Sequence, residues 1–226
     1  MKLSIYKRRR GVAFTLVELL VVMAIIAILI GVVIGGIGNA IAFAKRTKAN
    51  AQAVQIQTAM QNYYTEYGVY AESTADAATP GDTYYLGTTD TARWQQLMYA
   101  LCGNINPLTG QVVTGGTVPN TRAIQYMTPT RSDIDTVYGI PANPFGTGGT
   151  TPYFYMAVDT DYSGVVGDSG KALGLLPDFS KYATNYMGTT LANGTPGGVA
   201  VWCPCDQPLV GTGTKPSPST HWAHTY

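Results

Sequence analysis

The feature that most constrains this chain is an uncharged run from Leu19 to Ala44. Its 26 residues exceed the roughly twenty that cross a bilayer as a helix. One carboxylate, Glu18, stands at its start, in Ala13-Phe14-Thr15-Leu16-Val17-Glu18-Leu19-Leu20. An ionisable group at the edge of such a segment is costly to desolvate and demands a partner. Lys2, Lys7, Arg8, Arg9 and Arg10 precede the run, and Lys45, Arg46 and Lys48 follow it. The excess of positive residues before it places the N-terminus in the cytoplasm and the bulk of the chain outside. An ordinary secretory signal has a shorter apolar core, about 7–15 residues, and gives Glu18 no place.

Phe14 to about Gly68 reads as one helix, ~80 Å long at about 1.5 Å per residue. Its first half is apolar all round. In its second half Ile56, Ala59, Met60, Tyr63 and Tyr67 recur at spacings of three and four, the mark of an amphipathic helix with a buried stripe. Lys45, Arg46, Lys48, Gln52, Gln55 and Gln61 are expected on other faces. In the membrane half Ala27, Gly31 and Gly35 fall four residues apart, which suits close helix–helix approach or loose packing of a glycine-tolerant membrane helix. Gly68 ends the helix, as glycine commonly does just past a C-terminus.

The segment from Ala71 to Pro144 is rich in Thr, Gly, Asp and Pro and reads as surface, with one helix over Thr91–Leu101 carrying Trp94, Leu97, Met98 and Leu101 on one side. Tyr153–Val158 and Val199–Trp202 read as strands. Asp159–Gly164 reads as a turn, with a short return strand at Val165-Val166. The tail from Cys203 reads as surface. The expected fold class is therefore α+β: a long N-terminal helix, half membrane and half amphipathic, packed on a small antiparallel sheet. Its domains are 1–13, 14–44 for the apolar half of the helix, and 45–226 for a globular head.

Phe14-Thr15-Leu16-Val17-Glu18-Leu19-Leu20-Val21-Val22 resembles the processing motif of type IV prepilins and type II secretion pseudopilins, most of all a major pseudopilin. The resemblance covers about the first forty residues and implies a pilin-like fold. It implies that Met1–Ala13 is a leader cut between Ala13 and Phe14, that Phe14 is then N-methylated, and that Glu18 and the glycines Gly31 and Gly35 serve assembly. Ala13 replaces the family's usual glycine, and Gly35 its usual proline. The resemblance further implies, as partners, a prepilin peptidase that is also the methyltransferase, an inner-membrane assembly platform with its ATPase, and other copies of the chain in a helical homo-oligomer. The implied role is a structural subunit of a secretion pseudopilus in the inner membrane, with its head outside. A type IV pilin for adhesion, motility or DNA uptake is the alternative. A membrane-anchored binding domain that never polymerises is the alternative of another class. Asn143-Pro144-Phe145-Gly146 resembles an element that precedes the sheet of major pseudopilins.

Of the 14 Lys and Arg, five lie in Met1–Ala13, which leaves nine against 13 acidic residues. That balance is wrong for nucleic acid, which wants a basic face. Asp159, Asp161, Ser163 and Asp168 offer oxygen at alternate positions, like the first half of a calcium loop, or else build a β-turn. Calcium is thus the one cofactor the sequence suggests. Three cysteines leave at most one internal disulfide, expected from Cys102 to Cys203 or Cys205, because Cys203-Pro204-Cys205 closes on itself only under strain. No phosphate-binding loop or nucleophile–base pair is apparent, so no enzyme is expected.

Overall fold

The computed structural model describes residues 15–72, 82–85, 90–116, 118–146, 153–166, 195–204 and 222–224. The chain divides into two units, Met1–Phe43 and Ala44–Tyr226. Helix α1, Leu16–Tyr67, contributes to both. It runs through Gly35 without interruption, so the glycines there do not break the helix. It stops where Gly68 takes φ +70, a left-handed conformation that glycine adopts without a Cβ penalty, while the Gly68 N–H donates to the Tyr64 carbonyl at 2.8 Å.

The second unit is built on the later part of α1. Ala49, Ala53, Ile56, Ala59, Met60 and Tyr63 are buried at the spacing of one helical face. Each large aliphatic side chain among them contributes about 1.5–3 kcal/mol by leaving water. Gln52 corrects the expected pattern. It lies on this buried face, where its Nε2 donates to the Asp133 carbonyl at 3.2 Å. Helix α2 spans Thr91–Leu101 and buries Trp94, Leu97, Met98 and Leu101, the stripe its spacing predicts.

Strands β1 (Thr83–Tyr85), β2 (Tyr155–Val158), β5 (Val199–Pro204) and β6 (Trp222–His224) form an antiparallel sheet in the order β1-β2-β5-β6. Tyr155 pairs with Trp202, Val158 with Val199 and with Thr83, and Trp202 with His224. Met156, Val158, Val199, Val201 and Cys203 join the stripes of α1 and α2 in one core, and Gln57 Nε2 donates to the Val199 carbonyl at 2.8 Å. The class is α+β, a helix with a small antiparallel sheet. Three expectations need correcting. β1 lies in a segment read as loop, and β6 lies in a tail read as surface. The Val165-Val166 strand, β3, pairs with β4 (Thr195–Pro196), not back onto β2.

The connections are fastened by polar side chains. Asn120, 3% exposed, donates through Nδ2 to the Ala100 and Ile124 carbonyls and accepts at Oδ1 from the Tyr67 hydroxyl and the Ile124 N–H. Tyr63 donates to the Pro119 carbonyl, and Arg122 pairs with Glu66. Nearer the start of the unit, Lys48 Nζ donates to the Ser132 carbonyl at 2.8 Å and pairs with Asp133 at 3.1 Å. Lys45 lies over the Phe145 ring at 5.5 Å. The Asn143-Pro144-Phe145-Gly146 element forms a turn around buried Asn143, whose Oδ1 accepts from the Phe145 N–H.

Candidate functional site

The start of α1 is the first place where sequence and geometry meet. Thr15 precedes the first helical residue and Glu18 follows three positions later. The Thr15 N–H and Oγ1 both donate to Glu18 Oε2 at 2.9 Å, and the Glu18 N–H donates to Thr15 Oγ1 at 3.2 Å. This is a capping box, which satisfies amide groups that a helix N-terminus otherwise leaves without partners. The spacing Thr-x-x-Glu carries that signal in the sequence, a role separate from the charge that the resemblance gives Glu18. Ala13 and Phe14 lie outside the described residues.

Beyond the box, the large apolar side chains from Leu16 to Ile30 are exposed, in the range of 45% to 80%. So continuous an apolar surface is unusual on a helix left in water and calls for a cover. At Gly31 and Gly38 a Cβ would meet nothing within 4 Å, so among the described residues no contact requires a small residue there. The surroundings of Gly35 lie outside the described residues. Over the residues described in this way, no helix is long and apolar enough to cross a membrane; residues 32–36 and 39 fall outside that set.

The second candidate is the turn after β2. The Asp159 N–H donates to the Gly198 carbonyl, and its carboxylate accepts from the Ser163 N–H at 3.0 Å and the Gly164 N–H at 2.8 Å. Asp161 Oδ1 accepts from the same Ser163 N–H at 3.1 Å. Carboxylate oxygens of Asp82, Asp159 and Asp161 all lie within 4.8 Å of one another. Burial, together with the nearby Asp161 carboxyl, pushes the Asp159 carboxyl above its usual range against the pull of its backbone hydrogen bonds. Three carboxylates are hard oxygen donors, and the set fits calcium in donor type.

This set differs from the one expected. Asp159 and Asp161 are brought together, but Ser163 Oγ donates instead to the Val165 carbonyl at 3.0 Å. Asp168 lies outside the described residues. The third carboxylate is Asp82, just before β1, which no local spacing connects to Asp159. The pairing of Thr83 with Val158 brings it there.

Cys102 is a buried free thiol at the end of α2, and no bridge joins it to Cys203. Burial pushes its thiol up to about 12. Cys203 is buried in β5, and Cys205 lies outside the described residues.

Residues 13–37 match the family described as a prokaryotic N-terminal methylation motif. The match supports a precursor of the type IV pilin or pseudopilin kind. The motif implies processing by a prepilin peptidase and assembly into a filament. No curated protein and no solved structure matches the chain.

Proposed function

We propose that this chain is a structural, non-catalytic subunit of a type II secretion pseudopilus, most like a major pseudopilin, with a pilin-like fold. The observation that carries the reading is the methylation motif over residues 13–37, leading into an apolar helix whose large side chains are exposed among the described residues. A prepilin peptidase removes Met1–Ala13 on the cytoplasmic side and methylates Phe14. The subunit waits in the inner membrane as a single span over the uncharged run, with its head outside. An assembly platform and its ATPase then stack the helices of successive copies into a helical filament.

Within the filament, Glu18 of one copy meets the N-terminal ammonium of Phe14 on a neighbour. The pair offsets the cost of each charge in apolar surroundings and sets the axial register, the best-attested use of a buried ion pair. Because the capping box engages Oε2, Oε1 is the oxygen left for that ammonium. The exposed sites at Gly31 and Gly38 admit close helix approach.

Mass spectrometry of the protein recovered from membranes tests the reading. A mature chain beginning at monomethylated Phe14 is expected. An intact Met1 overturns both filament readings and leaves the anchored binding domain. Deleting the gene then separates pseudopilin from pilin: failed export of secreted proteins supports the first, and loss of adhesion, motility or DNA uptake alone supports the second.

A further inference from the structure

Three tyrosines from distant parts of the chain meet at the end of α1. Tyr64 and Tyr70 stack with centroids 4.6 Å apart, and Tyr162 lies 6.1 Å from each, with all ring planes within 36° of one another. This is not a core cluster, because Tyr64 is 38% exposed and Tyr162 48%. It is nevertheless held in place. The Tyr70 hydroxyl lies where a Cβ on residue 198 would be, so glycine there leaves the ring its place and a larger residue would displace it. Tyr162 has φ +60, a backbone state costly for a bulky residue.

The acidic turn borders these rings. Burial first, and then the neighbouring Asp159 carboxylate, raise the pKa of the Tyr70 hydroxyl. Among the described residues no Lys or Arg pairs with Asp159 or Asp161. Aromatic faces and carboxylates attract the same kind of group, a cation. A calcium ion satisfies only the carboxylates, whereas a long cationic side chain also lays its aliphatic stem on the rings.

We propose that Tyr64, Tyr70 and Tyr162, with the exposed Asp161 carboxylate at their edge and Asp159 buried behind it, form a docking site for a lysine or arginine side chain on a basic partner protein. Charge disfavours the same unit of a second copy as the occupant, since residues 44–226 carry nine basic against twelve acidic residues. The site goes beyond the filament reading and does not depend on it.

The test uses the full chain in neutral detergent with EDTA, its tyrosine rings labelled with carbon-13, titrated with acetylated tetralysine amide. The Tyr64 and Tyr162 ring signals are expected to move with tetralysine and not with tetraglutamate. Tyr162→Asn, which suits the left-handed backbone, raises the midpoint about two- to five-fold, while Tyr162→Phe stays within about two-fold of the natural chain. Asp161→Asn also weakens the response, and excess calcium competes with the peptide. Unmoved rings overturn the proposal, as does an equal response in Tyr162→Asn or to tetraglutamate. Ring shifts that follow protein concentration without peptide overturn it in favour of a second copy.

Discussion

Replacing Asn120 by alanine tests how the second unit is fastened to the end of α1. The side chain is almost wholly buried and makes four hydrogen bonds: to the Ala100 carbonyl at 2.7 Å, the Ile124 carbonyl at 2.8 Å, the Tyr67 hydroxyl at 2.8 Å and the Ile124 N–H at 3.1 Å. Each is worth about 1 kcal/mol net, and a buried partner left unsatisfied costs about 1–3 kcal/mol. Two of the partners keep one other bond each, although the Tyr67 proton loses its acceptor. The Ala100 carbonyl also accepts from the Gly103 N–H, and the Tyr67 hydroxyl also accepts from the Arg122 N–H. The net loss for Asn120→Ala is therefore about 3 kcal/mol. For a chain of this size that lowers the melting temperature by about 6–12 °C.

Three companion variants sharpen the assay, thermal unfolding of the full chain in detergent followed by circular dichroism. Asn120→Asp keeps the shape but sets carboxylate oxygens against two carbonyls, so it falls further than alanine at neutral pH and partly recovers in acid, when one oxygen regains a proton to donate. Tyr67→Phe alone costs about 1 kcal/mol. Combined with Asn120→Ala, it costs less than the sum of the two, because the Tyr67–Asn120 bond is counted once. A melting temperature for Asn120→Ala within about 2 °C of the natural chain, or strict additivity with Tyr67→Phe, would refute the reasoning.

Four further outcomes are expected. Glu18→Gln keeps an acceptor for the capping box and Glu18→Ala does not; if the charge drives assembly, both variants are cleaved yet neither forms filaments by electron microscopy, and normal filaments from Glu18→Gln sink the ammonium pairing. Calcium raises the melting temperature of the natural chain and not of Asp159→Asn; an unchanged melting curve counts against the Asp82, Asp159 and Asp161 site. For Asp133, burial alone raises the carboxyl pKa, but hydrogen bonds from Thr130 and Lys48 outweigh it and hold the folded value below 3.8. The stability from these bonds is thus present above the unfolded pKa and lost as pH falls through the lower folded value, so Lys48→Ala flattens the acid limb of a stability–pH curve. Cys102, buried with its thiol pushed up to about 12, resists iodoacetamide at pH 8 in the folded chain and alkylates in urea, read by peptide mass; rapid labelling without urea contradicts its burial.

What could be read from the sequence was local and periodic. The α2 stripe of Trp94, Leu97, Met98 and Leu101 and the α1 stripe from Ile56 to Tyr63 are visible because apolar residues recur at the helical period, and the Gly68 stop because a left-handed terminus needs glycine. β1 and β6 are three residues each, too short to show an alternation, and they are strands only because β2 and β5 present edges for them. Asp82 illustrates the same limit at the acidic turn: its neighbours in sequence say nothing of Asp159, and only the β1–β2 register brings the two together. Gln52 fails differently, since a polar residue on a buried face looks solvent-facing until its partner, the carbonyl of Asp133, is known. Glu18 shows how one residue can satisfy two readings at once. Its position three after Thr15 is sufficient reason for a helix cap, and its place at the edge of an uncharged run is sufficient reason for an ion pair. The cap uses one carboxylate oxygen and needs no charge, whereas the pair needs the charge and uses the other, so glutamine separates the two roles and alanine cannot.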